Sequence, residues 1–177
     1  MSVTKLLSRI VAPDDVLMPQ VDDNKEDHEI RSALHDHTFG ITSDPLTQFA
    51  VIFSALIHDV DHTGAPNAQL IKENASIASV YKGKSIAEQN SVDLAWSLLM
   101  DDSFTALRET IFKTEKEHKR FRQLVVNVVL ATDIVDKDLK NLRNARWEKA
   151  FKKEEGVPNL LESGAHEAIN RKVCALI

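Results

Sequence analysis

Apolar residues recur at three- and four-residue spacing along most of the chain, which places them on one face of an α-helix. No run of alternating β-branched and aromatic residues bounded by turn pairs predicts a strand. The pattern therefore predicts an all-α fold. The predicted helices cover residues 2–11, 26–37, 67–73, 75–81, 84–100, 102–112, 116–132, 135–153 and 164–177, together with one whose start is marked by Ser43-Asp44-Pro45.

The most apolar of these helices begins at Ser43-Asp44-Pro45, where a side-chain acceptor is followed by a proline near the first helical position. Its positions are then apolar around most of the circumference up to Ile57. Such a helix is typical of a buried core element. We expect it to lie deep in the core and to end near His62, because a glycine and a proline follow.

Composition limits the classes of partner and compartment. With 177 residues, 43% of them hydrophobic, the chain is long enough for one compact core. The formal net charge of −5 disfavours nucleic acid as a partner, and the basic segment 137–153 is interpreted as a solvated helix face. The single cysteine, Cys174, and the absence of any apolar run near the ~20 residues of a membrane span predict a cytoplasmic chain with no membrane segment.

Candidate chemistry is concentrated where the apolar helix ends, in the sequence His58-Asp59-Val60-Asp61-His62. Four ionisable groups fall within five residues there, and burying such groups costs several kcal/mol each unless a partner compensates. A divalent cation is such a partner, because imidazole nitrogen and carboxylate oxygen are both ligands of zinc, magnesium or manganese. The motif therefore predicts a metal site.

The spacing within the motif suggests how ligands would be shared. His58 and His62 are four residues apart and share a face for as long as the helix continues. Asp59 could bridge two ions, which lie roughly 3.5–4 Å apart in two-metal hydrolases of phosphate esters. One alternative is a helix terminus whose histidines favour the negative end of the dipole. A zincin peptidase is disfavoured, because it needs a glutamate where Asp59 stands.

The segment His58-Asp59-Val60-Asp61-His62-x-Gly64-x-x-Asn67 resembles the central motif of the class I 3′,5′-cyclic-nucleotide phosphodiesterases. Three further segments resemble that family in order and spacing. They are Gly40-Ile41-Thr42-Ser43-Asp44-Pro45-Leu46, Ser85-Ile86-Ala87-Glu88-Gln89-Asn90-Ser91 and Leu130-Ala131-Thr132-Asp133-Ile134. The resemblance implies a compact multi-helix phosphodiesterase-like domain of the HD type.

The same resemblance implies a site with two divalent ions. His58 and Asp59 would bind the tighter ion, typically zinc. Asp59 would also bridge to a second ion, typically magnesium or else manganese. His62 would lie beside the metal centre and support the bridging water, as a catalytic residue.

Further residues are assigned by the resemblance to the second ion and the substrate. Glu88 would contact the water shell of the second ion as a catalytic residue. Thr132 and Asp133 would line the site near that ion, and Ile134 would lie along the substrate pocket. From the residues alone, Glu88 could equally be an ordinary carboxylate in a helix's first turn. Asp133 could equally be the N-cap of the next helix, with Asp136 completing a partial capping box.

The chain departs from the family pattern in two respects. It has Asn90 and Ser91 where many members have two histidines. The family's upstream His-Asn-x-x-His motif, which supplies a metal ligand and the proton donor, is absent, and the late aspartate of the metal site is expected beyond Ile177. We therefore expect residues 1–177 to form a single partial catalytic domain, cut short at both ends and weakly active or inactive alone.

The implied activity is hydrolysis of cyclic AMP, cyclic GMP or both to 5′-monophosphates in signal transduction. Two other hypotheses stay open. A different His-Asp metal-dependent phosphohydrolase, acting on nucleotides or phosphate monoesters, would share the metal motif. A catalytically inactive helical interaction module would retain the motif without turnover.

Overall fold

The structure is a computed structural model that describes residues 41–73 and 75–151. The helices predicted at 2–11, 26–37 and 164–177 lie outside the described residues. Within the described ranges every regular element is helical, which confirms the all-α prediction. The α-helices are α1 Pro45–Ile57, α2 Asn67–Glu73, α3 Ala75–Val80, α4 Ile86–Leu99, α5 Thr105–Ile111, α6 Glu115–Leu130 and α7 Lys137–Phe151, with 3₁₀ turns at Ile41–Ser43 and Asp102–Phe104.

Most predicted helix boundaries lie within two residues of the observed ones, and α2 coincides with its predicted range. The segment predicted as a helix over 102–112 is divided into a 3₁₀ turn and α5. Asp101 caps that turn by accepting the backbone N–H of Ser103 at 2.9 Å. The Ser103 hydroxyl and N–H together hold the pKa of Asp101 below its usual range.

Contacts group the chain into two compact units, one of residues 53–142 and another that includes the described residues 41–52 and 143–151. In the latter unit, α1 begins at Pro45 as predicted. The Asp44 carboxylate accepts both the N–H of Thr47 at 3.2 Å and its hydroxyl at 2.6 Å. The Gln48 side-chain amide donates to the carbonyl of Ile41 at 2.7 Å, so both polar side chains tie the start of α1 to the preceding turn.

The far end of α1 differs from the prediction in two ways. The helix ends at Ile57 rather than near His62: the N–H groups of Val60 and His62 bond to the carbonyls of Ile57 and Asp59, three residues back, in turns. Asp61 then has a φ of 61°, in the left-handed region that a right-handed helix does not include. The expectation that α1 lies deep in the core is also wrong, since Leu56 is 77% exposed. The buried face of α1 consists of Thr47, Ala50, Ser54 and Ile57.

An aromatic cluster on α6 forms the centre of the core in residues 53–142. Phe121 is fully buried, and its ring lies 5.6 Å from Phe53, 6.1 Å from Trp96 and 5.9 Å from Phe112, centroid to centroid. His118 stacks on Trp96 at 5.6 Å and completes the cluster. Because Trp96 belongs to α4 and Phe121 to α6, these rings join the two helices that pack together most extensively in this unit.

Helix α6 is positioned by a capping box at its start. The Thr114 hydroxyl accepts the backbone N–H of Glu117 at 3.2 Å, and the Glu117 carboxylate accepts the N–H of Thr114 at 3.0 Å. The N–H groups of Lys113 and Thr114, with the Thr114 hydroxyl, hold the pKa of Glu117 below its usual range. The stabilisation from this box is therefore present above the unfolded-state pKa and is lost as the pH falls through the folded-state pKa.

An apolar cavity of about 610 Å³ lies within residues 53–142. Its walls include Leu56, Val60, Leu94 and Leu98. Leu56 therefore lines an accessible cavity instead of a closed core, which is the physical reason for its exposure. Separately, no helix within residues 41–73 and 75–151 combines the length and the apolarity needed to cross a membrane.

Candidate active site

The His-Asp motif forms a tight turn after α1, and helix α4 holds that turn in place. The hydroxyl of Ser91, which is fully buried, donates to the carbonyl of Val60 at 2.7 Å. The Asn90 side-chain amide donates to the carboxylate of Asp61 at 3.2 Å. The two positions where this sequence departs from the histidines of the family pattern are therefore the two that anchor the turn.

Within the turn, the His58 ring has a defined orientation. Its Nδ1 lies 3.0 Å from the carbonyl oxygen of Ala55. Because a carbonyl can only accept a hydrogen bond, this contact assigns a proton to Nδ1, and the tautomer with its one proton there has a lone pair on Nε2 for a ligand. A backbone carbonyl that receives the second ring N–H is the usual arrangement for a histidine that binds a metal.

His58 and Asp59 bring two potential ligand atoms together. His58 Nε2 lies 3.2 Å from Asp59 Oδ2, and the side chains are 38% and 68% exposed. Two ligands each about 2.0–2.2 Å from one ion are separated by roughly 2.8–3.6 Å across octahedral or tetrahedral angles. The observed separation lies in that interval, so the pair fits two ligands of a single cation.

The described residues supply this pair but not a larger cluster. Across residues 41–73 and 75–151, no three His, Cys, Asp or Glu side chains converge closely enough to hold an ion. The fit to a metal therefore rests on the chemistry and spacing of two donors. Any third protein ligand to the same ion would have to approach this pair.

His58 and His62 do not share a helical face, because α1 ends at Ile57 and the condition for a shared face is not met. The left-handed backbone of Asp61 then turns the chain before His62 is reached. His62 is exposed, and its Nδ1 accepts the backbone N–H of Gly64 at 2.9 Å. With Nδ1 as an acceptor, the neutral ring carries its proton on Nε2, which is then a hydrogen-bond donor.

A second group of polar side chains lies around Asn67, at the start of α2. Its Nδ2 donates to Glu88 Oε2 at 2.9 Å and to Asp133 Oδ2 at 3.3 Å. Its Oδ1 accepts the backbone N–H of Ala87 at 3.0 Å. Asn67 thus joins α2, the first turn of α4 and the segment after α6, and Glu88 is not a carboxylate free in solvent.

Asp133 is the most buried carboxylate among the described residues, at 6% exposure. Its Oδ2 also accepts the Ser85 hydroxyl at 2.8 Å, and its Oδ1 accepts the N–H groups of Val135 and Asp136 at 3.0 and 3.1 Å. The N-cap of α7 is Asp136 instead, whose carboxylate accepts the N–H of Leu139 at 3.0 Å. The capping alternative for Asp133 is therefore wrong.

The other two predicted pocket residues have different surroundings. The Thr132 hydroxyl donates to the carbonyl of Val129 at 2.7 Å, so it closes the end of α6. Ile134 is 79% exposed and does not line the apolar cavity. Their predicted roles at the second ion and along the substrate pocket stay predictions.

Four residues of the site were not assigned roles from the sequence: Asn67, Ser85, Asn90 and Ser91. Asn67 stood inside the central motif, and the other three inside the glutamate-centred segment, so motif membership was the available signal. Ser85 also has a left-handed φ of 40°, a conformation uncommon for a residue other than glycine. Their partners are distant in sequence, which spacing alone does not indicate.

Comparison with known proteins identifies relatives over most of the chain. The sequence profile of the family described as 3′5′-cyclic nucleotide phosphodiesterase matches residues 29–166. A probable 3′,5′-cyclic-AMP phosphodiesterase of Caenorhabditis elegans is 37% identical over 89 residues, which is 50% of this chain and 13% of that protein. A dual specificity calcium/calmodulin-dependent 3′,5′-cyclic nucleotide phosphodiesterase of Homo sapiens is 37% identical over 86 residues, 49% of this chain and 12% of that protein.

Solved structures give the corresponding result for the fold. The phosphodiesterase domain of the RhoPDE fusion protein of Salpingoeca rosetta matches with a TM-score of 0.52 at 20% identity, covering 97% of this chain and 59% of that one. A second structure, the phosphodiesterase domain of the rhodopsin phosphodiesterase of that organism, matches with a TM-score of 0.52 at 22% identity over 97% and 50%. At these identities the likeness concerns the fold alone. The chain thus spans between half and three fifths of these solved domains and about an eighth of the curated relatives.

Proposed function

Because the chain belongs to the 3′,5′-cyclic nucleotide phosphodiesterase family, we propose that it contributes to a metal-dependent site that hydrolyses 3′,5′-cyclic nucleotides to 5′-monophosphates. The observation that carries this proposal is the His58 and Asp59 pair. One ring nitrogen is committed to a backbone carbonyl, and the other lies 3.2 Å from a carboxylate oxygen. That arrangement presents two ligands to one cation.

In the proposed site, His58 Nε2 and Asp59 Oδ2 would hold the tighter ion, which we assign as zinc, and Asp59 would also serve a second ion, assigned as magnesium or manganese. Bound divalent ions would supply an activated water and a counter-charge for phosphoryl oxygens. The Ala55 carbonyl keeps the His58 ring oriented toward the ion. Ser91 and Asn90 hold the turn itself, so that the ligand pair is fixed relative to α4.

His62 is proposed to support the water between the ions. Its Nδ1 is occupied by the N–H of Gly64, so its Nε2–H is the atom available to donate to a water or phosphoryl oxygen. Glu88 is proposed to order the water shell of the second ion, with Thr132 and Asp133 lining the site nearby and Ile134 along the substrate. The substrates proposed are cyclic AMP, cyclic GMP or both, on the strength of the family.

The metal site is tested by replacing Asp59 with alanine. We expect the affinity of the full chain for Mn²⁺ or Zn²⁺ to fall by at least about 100-fold, because loss of residues that merely support a ligand already costs 10–100-fold. Isothermal titration measures the affinity. Asp102→Ala, which removes an exposed carboxylate from the 3₁₀ turn, is the matched control and should leave the affinity unchanged.

An Asp59→Ala affinity equal to that of the unsubstituted chain would instead favour the catalytically inactive interaction module. The phosphohydrolase alternative is separated by substrate. The full chain is assayed with cyclic AMP and cyclic GMP beside 5′-monophosphates and dinucleotides. Preferential cleavage of the cyclic substrates supports the proposal, and preferential cleavage of the others supports the alternative.

A further inference from the structure

Asn67 has no role in the site proposed above, yet its side chain contacts two of the carboxylates assigned to that site. One amide nitrogen donates to two carboxylates, those of Glu88 and Asp133, at 2.9 and 3.3 Å. These two residues come from different parts of the chain, 21 and 66 positions away from Asn67. Two carboxylates brought against one group repel each other unless donors lie between them.

An asparagine side chain supplies the donors that two neighbouring carboxylates need. Its NH₂ group has two protons, one for each carboxylate, and its oxygen remains free to accept. That oxygen accepts the N–H of Ala87 at 3.0 Å, which satisfies one of the otherwise unpaired donors at the start of α4. The Asn67 side chain therefore holds both the backbone at the start of α4 and the carboxylate of Glu88.

The bond also determines which oxygen of Glu88 is available. Oε2 is committed to Asn67, whereas Oε1 has no donor among residues 41–73 and 75–151. Asp133 is committed more completely, since both of its oxygens accept, including the Ser85 hydroxyl at 2.8 Å. Asn67 thus joins two different carboxylates. Asp133 is buried and both of its oxygens accept hydrogen bonds, whereas Glu88 is half-buried and its Oε1 accepts none from the described residues.

We propose that Asn67 is a positioning residue, whose amide ties the Glu88 carboxylate to the buried Asp133 and so orients Glu88 toward the water shell of a divalent ion. This rests on the proposed function, because Glu88 acts there on the water shell of the second ion. Asn67 itself contacts neither the ion nor the substrate. It acts by fixing the side chains of Glu88 and Asp133, so that Glu88 Oε1 stays available to the water shell of the ion.

Asn67→Ala removes both donated bonds and tests the inference by metal binding. We expect the affinity of the full chain for Mn²⁺, measured from the electron paramagnetic resonance signal of the free ion, to fall by about 10-fold or more. The control is Gln69→Ala, which removes another amide-to-carboxylate bond, to Glu73 at 2.8 Å, from the exposed surface of the same helix. It should change the affinity by less than about twofold, as expected for a surface pair. Circular dichroism at the titration temperature shows that each variant is folded, so a general loss of structure is separated from a positioning effect.

A second measurement keeps the inference testable if Asn67→Ala fails to fold. In the unsubstituted chain, both side-chain amide protons of Asn67 should exchange with solvent more slowly than those of Gln69, because each is held by a carboxylate. Glu88→Ala, which removes the acceptor, should then accelerate exchange at Asn67 and leave Gln69 unchanged.

The possible failures are distinguishable. A folded Asn67→Ala chain that binds Mn²⁺ as tightly as the Gln69→Ala control overturns the positioning role and leaves the proposed function standing. Exchange at Asn67 as fast as at Gln69 overturns it as well. An unsubstituted chain that binds no Mn²⁺ overturns the proposed metal site, and the positioning role with it.

Discussion

Replacing Asp133 with alanine is expected to lower the free energy of unfolding by about 3–5 kcal/mol, comparable to the loss of one partner from a buried charged pair. The carboxylate is 6% exposed and accepts four hydrogen bonds. Its removal leaves the Ser85 hydroxyl without its acceptor and leaves Asn67 with Glu88 as the remaining acceptor of its amide. Each buried donor left unpaired costs about 1–3 kcal/mol. The N–H groups of Val135 and Asp136 lose their acceptor as well.

Urea denaturation followed by far-ultraviolet circular dichroism measures this change. Asp138→Ala is the matched control, since Asp138 is exposed and pairs with Lys84 at 3.0 Å on the surface. Its midpoint should not move measurably. Equal midpoints for the two variants would contradict the burial and the hydrogen bonding assigned to Asp133.

Replacing Phe121 with alanine is expected to lower the free energy of unfolding by about 3–5 kcal/mol, because it leaves a cavity at the centre of the aromatic cluster. Phe121 is fully buried and contacts the rings of Phe53, Trp96 and Phe112. A loss of this size is a large share of the 5–15 kcal/mol typical of a domain. The helices α4 and α6 would then lose the packing that sets Glu88 relative to the rest of the site.

The same urea titration tests this prediction, with Leu98→Ala as the control. Leu98 lies on α4 as Trp96 does, but it is 60% exposed, so its truncation should cost about 0.5 kcal/mol or less. A Phe121→Ala chain as stable as the Leu98→Ala chain would place the hydrophobic core elsewhere.

The helical fold was largely predictable because the signals for it are local. α2 coincides with its predicted range, and α1 begins at Pro45 with Asp44 as its cap, as the sequence indicated. The end of α1 was not predictable in the same way. His58, Asp59 and Val60 carry no helix-breaking residue, so the turn bonds that follow Ile57 had no local sequence signal. Aspartate tolerates the left-handed region but does not require it, so the turn at Asp61 was not indicated either.

The burial of α1 was misjudged for a related reason. An apolar residue on every side of a helix predicts burial on every side, yet the packing partners decide which face is covered. In the structure the covered positions of α1 include the hydroxyl residues Thr47 and Ser54, while Leu56 borders the apolar cavity.

Part of the candidate site could be found from the sequence, and part could not. His58 and Asp59 are adjacent in the chain, so their proximity was expected from the motif alone. The contacts of Asn67 with Glu88 and Asp133 connect residues 21 and 66 positions apart, and only the packing of α2, α4 and α6 brings them together. The same is true of Ser91 and Val60, 31 positions apart, which hold the turn with the candidate ligands on α4.

The most direct measurement is an anomalous difference map, at the zinc absorption edge, from crystals of the full chain grown with Zn²⁺. We expect a peak about 2.0–2.2 Å from both His58 Nε2 and Asp59 Oδ2. A map with no peak at that turn, and with the imidazole and carboxylate still in direct contact, would contradict a metal-dependent site there.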